Sequence, residues 1–70
     1  MKTDITHYAD QELSLMVLND PFLYMEFTRA VIREDFVILM DTVNELFIFN
    51  DDQLEDLKET FNEELEEFSS

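Results

Sequence analysis

The sequence predicts an all-α fold, a small bundle of three to four short helices in which the last is long, amphipathic and acidic. Two observations carry this. Apolar residues recur at three- and four-residue spacing along most of the chain, the period of a helix with one buried face. The chain also contains no glycine. That removes the positive-φ turns most hairpins need and the glycine-rich loops of nucleotide-binding folds. Elements must be joined through Asn, Asp and the single Pro, which suits helices better than a compact sheet.

The first helix is expected over about 10–19. Asp10, Gln11 and Glu12 fill its first turn, where negative charge suits the helix dipole. Tyr8 and Leu13 have the spacing of a hydrophobic staple, around an unusually poor N-cap at Ala9. Leu13, Met16 and Val17 supply its apolar face. Asp20-Pro21 then reads as an N-cap followed by proline at the first helical position, opening a second helix over about 21–33. Leu23, Phe27, Ala30 and Val31 share one side of it.

Asp35 caps a third helix, expected over about 36–47, with Phe36, Leu39, Met40, Val43, Leu46 and Phe47 on one stripe. The run Leu46 to Phe49 also suits a short extended segment. The clearest start is the last. Asn50 is an N-cap with Gln53 three residues on, and Phe49 and Leu54 are spaced as a staple. The fourth helix is expected over about 51–68, roughly 27 Å at 1.5 Å per residue. Its narrow seam is Leu54, Leu57, Phe61, Leu65 and Phe68.

Seventy residues form one domain and bury only about 60% of the surface the unfolded chain exposes. Without cysteine there is neither a disulfide nor a thiolate site, and a single histidine, His7, does not make a zinc constellation. Hydrophobic residues nevertheless make up 46% of the chain, with seven Phe and two Tyr. Small scaffolds without covalent or metal staples often gain stability by oligomerising, so a homodimer is expected. The first eight residues carry no signal-peptide pattern, and no apolar run approaches the about 18 residues that span a bilayer. Cytoplasmic residence is the expectation.

A formal charge of −14 constrains the partner. Nucleic acid and anionic membranes would repel the chain, whereas a basic protein surface would attract it. Residues 51–70 hold nine of the eighteen acidic side chains and one basic one, Lys58. Asp52, Glu55, Asp56, Glu59, Glu63 and Glu66 project within one sector of the helical wheel, opposite the Leu/Phe seam. Such a run is most often a solvated outer face. Here, however, carboxylates repeat about every 6 Å along the axis, a spacing that can meet a row of Lys or Arg groups. Like charges at i,i+4 also cost a few tenths of a kcal/mol each, and Lys58 alone offsets them.

A second candidate surface is apolar. Phe22, Met25 and Ile32 fall on a face of the second helix distinct from its core face, flanked by Arg29 and Arg33. Aromatic, Met and Arg residues are enriched at interface cores, so Phe22, Met25, Arg29 and Ile32 are candidates for a dimer or partner contact. Leu15, Leu18, Val37 and Ile38 are similarly surplus to a small core. The two arginines read more simply as structural partners of Glu26, Asp35 or the tail. Catalysis has no support: no pair of carboxylates is set apart by environment, no Ser-His-Asp arrangement is compelling, and Asp51-Asp52 lacks the glycine and ligand spacing of an EF-hand loop. No cofactor or metal is expected, and the chain is read as a non-enzyme.

The stretches Ala9-Asp10-Gln11-Glu12-Leu13-Ser14-Leu15-Met16-Val17-Leu18-Asn19-Asp20 and Leu46-Phe47-Ile48-Phe49-Asn50-Asp51-Asp52-Gln53-Leu54 resemble the short acidic helical proteins encoded in accessory regions of bacteriophage genomes. The resemblance lies in size, acidity, helicity and staple-plus-cap helix starts. It implies stoichiometric inhibition of a host protein, as by anti-CRISPR, anti-restriction and anti-activator proteins. It carries over no site residue. The expected function is therefore a phage-encoded binding inhibitor in the host cytoplasm, meeting a basic site, one that ordinarily holds nucleic acid, in the manner of a DNA mimic. The alternative is a small assembly, antitoxin or regulatory module acting through apolar helix–helix contacts.

Overall fold

The computed structural model describes residues 1–69. Four helices occur among them: α1 (Glu12–Asn19), α2 (Pro21–Arg33), α3 (Phe36–Leu46) and α4 (Asp51–Ser69). Two two-residue strands accompany them, β1 (Thr3–Asp4) and β2 (Phe47–Ile48). The protein is an all-α bundle in which α2 touches each of the other three helices and α4 packs on both α1 and α2.

Local chemistry explains most boundaries. The Asp20 carboxylate accepts hydrogen bonds from the Phe22 and Leu23 amides at 2.9 and 3.1 Å, and Pro21 follows where its missing N–H costs nothing. Asp35 caps α3 through the Val37 amide at 3.1 Å. At α4 the capping box is reciprocal: the Gln53 amide donates to Asn50 Oδ1 and the Asn50 amide to Gln53 Oε1, both at 2.9 Å.

The first helix begins at Glu12, not at residue 10. Ala9 offers no side-chain oxygen to cap a helix, so residues 9–12 form a turn closed by the Glu12 amide on the Ala9 carbonyl at 3.0 Å. Gln11, at the N-cap, makes no side-chain capping bond. Tyr8 is exposed and stacks edge-on against His7, with ring centroids 4.6 Å apart. The third helix ends at Leu46, because Phe47 and Ile48 turn extended and pair in parallel with Thr3 and Asp4. The register is extended by the Ile5 amide, which donates to the Ile48 carbonyl at 2.9 Å.

This pairing inserts Ile5 into the core beside Leu13, Val17, Leu23, Phe27, Ala30, Val31, Leu39, Val43, Leu57 and Phe61. Phe61 is the aromatic hub, edge-on to Phe27 at 5.9 Å and tilted against Phe36 at 4.8 Å. Two positions on the expected stripes are exposed, Leu46 where α3 gives way to β2 and Phe68 near the end of α4, while Met40 and Leu54 are half-buried outside the core.

One boundary has a conformational cost. Glu34 closes α2 in the left-handed region (φ 54°, ψ 40°), with its amide on the Val31 carbonyl and the Asp35 amide on the Ala30 carbonyl. That is the Schellman pattern, which glycine ordinarily serves. A side chain with a Cβ in this conformation costs roughly 1 kcal/mol. Replacing Glu34 with Gly is therefore expected to stabilise the protein by about 0.5–1 kcal/mol, measured as a higher denaturation midpoint with an unchanged denaturant slope.

Candidate functional site

The outer side of α4 carries Asp52, Glu55, Glu59, Glu63 and Glu66, all exposed. Their placement follows from the helix being held on its other side by Gln53, Leu57 and Phe61, which are buried. Lys58, the one cation of this helix, sits 3.8 Å from Glu55, with both side chains largely in solvent. An exposed pair of this kind contributes little, so the row keeps its negative field.

Asp56 does not belong to that row. It lies half-buried on the flank facing α1, where its Oδ2 accepts a 2.6 Å hydrogen bond from the Ser14 hydroxyl. Ser14 is itself buried. A wheel centred on the Leu/Phe seam gives Asp56 too much freedom, because the true inner side of α4 is rotated toward Gln53 and Thr60. Asp56 is a tie between α1 and α4, and the acidic surface comprises the other five residues.

On α2, Phe22, Met25 and Ile32 are 54, 49 and 56% exposed, on the side away from Leu23, Phe27 and Ala30. Arg29 lies between them and reaches back to Glu26, Nη1 to Oε1, at 3.4 Å. The arginine is thus partnered within its own helix while the three apolar side chains remain open.

The structure adds a feature that periodicity alone does not disclose. An open groove of about 320 Å³ runs between α2 and the end of α4. Phe27 and Val31 form its floor, Leu18, Tyr24, Thr28, Ile32 and Phe68 its walls, and Glu64 and Glu67 stand on its rim. The available signal was the spacing of Glu64, three residues after Phe61 and four before Phe68, which puts it beside the seam instead of opposite it.

Electrostatics elsewhere are local. Among the described residues no cluster of three or more His, Asp or Glu is gathered closely enough to hold a metal ion. No helix among them is long and apolar enough to cross a membrane. Asp4 accepts bonds from the Thr6 hydroxyl at 2.7 Å and the Thr6 amide at 2.9 Å. These bonds, with a smaller contribution from His7, hold its carboxyl below the usual range.

Fold and surface together define a small acidic helical bundle with one charged face, one apolar face and one mixed groove. Comparison with protein families, with characterised proteins and with solved structures finds no match.

The Asp4 turn has a pH signature. A carboxyl whose folded pKa lies below its unfolded value of about 3.9 adds stability above that value, and loses it as pH falls through the folded pKa. Asp4→Asn is accordingly expected to lower the melting temperature near neutral pH. The difference from the wild type should shrink as the solution is acidified below about pH 4. Thermal melts of the two proteins across that range check it.

Proposed function

We propose that this protein is a non-catalytic inhibitor of phage type, which binds a basic surface of a host protein and blocks it. The observation that carries this reading is the row of five exposed carboxylates, Asp52, Glu55, Glu59, Glu63 and Glu66, on the outer side of α4. A row that served only to keep the chain in solution would be cheaper with interspersed cations, since like charges one turn apart oppose the helix. A basic partner relieves that repulsion on binding and is steered toward the face at long range. A nucleic-acid site on the host protein has the required charge, so occlusion of such a site is the mode of inhibition proposed.

The test is charge reversal. Glu55, Glu59 and Glu63 each changed to Lys should abolish partner capture from a host lysate at low salt while leaving helicity by circular dichroism unchanged. The fold should tolerate the change because exposed substitutions away from caps shift stability by no more than about 0.5 kcal/mol. Capture by the wild type should fade as salt rises, because exposed charges are screened over about 8 Å at physiological ionic strength. Capture that survives both the triple reversal and high salt would reduce the row to a solvated face.

The exposure of Phe22, Met25 and Ile32 favours a second reading, in which the chain acts as a small assembly or regulatory module through apolar helix contacts. Its simplest form is a homodimer across this face of α2. Light scattering is then expected to report a dimer at tens of micromolar, and Met25→Glu to shift it to monomer. A wild-type monomer at that concentration sets the dimer aside.

A further inference from the structure

We infer that the groove between α2 and the end of α4 seats a short basic amphipathic helix of the partner protein, apolar side inward and Lys or Arg side chains on the groove rim. The inference rests on the proposed capture of a basic protein and specifies where and how that capture becomes tight. Chemistry at the groove is mixed in a particular way. Tyr24, Ile32 and Phe68 are 52, 56 and 60% exposed around a floor of Phe27 and Val31. The carboxylates lining it are Glu64 and Glu67, and among the described residues no basic side chain lines it.

An uncharged apolar segment would desolvate the Glu64 carboxylate without supplying a cation to it, which is costly. An acidic or anionic occupant would be repelled. A segment with apolar residues on one side and cations on the other satisfies both parts, the helix-in-groove mode of recognition.

Length and spacing agree with a helix. Tyr24, Thr28 and Ile32 follow one another at four-residue intervals along one side of α2, so the apolar wall extends about 12 Å. That is the axial rise of about eight helical residues. The outer row of α4 lies on a different side of the same helix and can steer the approach, whereas the groove can bury the anchoring side chains. Area burial in such a pocket, not the exposed charges, sets how slowly a complex dissociates.

The experiment uses two synthetic peptides of about twelve residues with the same number of lysines. One carries Leu and Phe at helical spacing opposite the lysines, and the other has Ser in their place. Both are titrated into the full chain, followed by calorimetry and by amide chemical shifts. The amphipathic peptide is expected to bind at least about tenfold more tightly, a difference of about 1.4 kcal/mol, and to shift the amides of Tyr24, Thr28, Ile32 and Phe68. Thr28→Lys, an exposed change that puts a cation in the groove, should remove that advantage while Thr28→Ala retains it.

Equal binding of both peptides, with shifts confined to Asp52 through Glu66, would overturn the groove and leave the acidic capture standing. Binding of neither would sink both. Equally tight binding of an amphipathic peptide with Glu for Lys would overturn the charge complementarity. Concentration-dependent shifts at the groove without peptide, together with a dimer mass, would assign the groove to a second copy of the chain and overturn the inference.

Discussion

Gln53 is fully buried, and every polar atom of its side chain has work to do. Its Oε1 accepts from the Asn50 amide at 2.9 Å, while its Nε2 donates to the Ile5 carbonyl and, at 3.4 Å, to the Tyr8 carbonyl. Asn50 Nδ2 adds a bond to the Thr6 carbonyl at 3.1 Å. One capping box therefore starts α4 and also satisfies the backbone of a segment more than forty residues away. An amide left unpaired in such a place would cost about 1–3 kcal/mol. The N-terminal segment, the seating of Ile5 and the rotational setting of α4 all follow from this junction.

That setting decides which carboxylates are free. With Gln53, Leu57 and Phe61 inward, the opposite side of α4 is given over to charge, while Asp56 turns toward Ser14 and Glu64 toward the groove. A chain this small has little surface that is not also the back of something buried. The acidic row, the open side of α2 and the groove between α2 and the end of α4 are accordingly three consequences of one packing solution. In the proposed capture of a basic protein, long-range charge on the row and short-range apolar contact in the groove would act together.

Elements whose signals are local were legible in the sequence. Asp20-Pro21, Asp35 and the Asn50–Gln53 box each announce a helix start within a few residues, and all four core residues of α2 recur at helical spacing. Features fixed by distant partners were not. Nothing around Thr3–Ile5 signals that it will pair with Phe47 and Ile48, since the complementary residues lie 44 positions further along the chain. The inward turn of Asp56 depends on Ser14, forty-two positions away. The left-handed Glu34 ran against its residue type altogether, because a chain without glycine must put some other residue where α2 turns into α3. At the surface, five of the six carboxylates and all three apolar side chains of α2 lie in the open as their spacing suggests. The groove needs two helices to exist, so no single-helix wheel could contain it.

The parallel pairing of β1 with β2 also bears on how the molecule assembles. Helices α1 to α3 can form and associate through contacts between neighbours in sequence, whereas Thr3–Ile5 has no place to bind until Phe47, Ile48 and the start of α4 exist. Closing so long a loop is an entropic cost incurred before the bonds that reward it. On a ribosome, where the chain emerges from its N-terminal side, Thr3–Ile5 is made before its pairing partners and is fixed only after them. Until then the core lacks the contribution of Ile5, which is fully buried in the finished bundle.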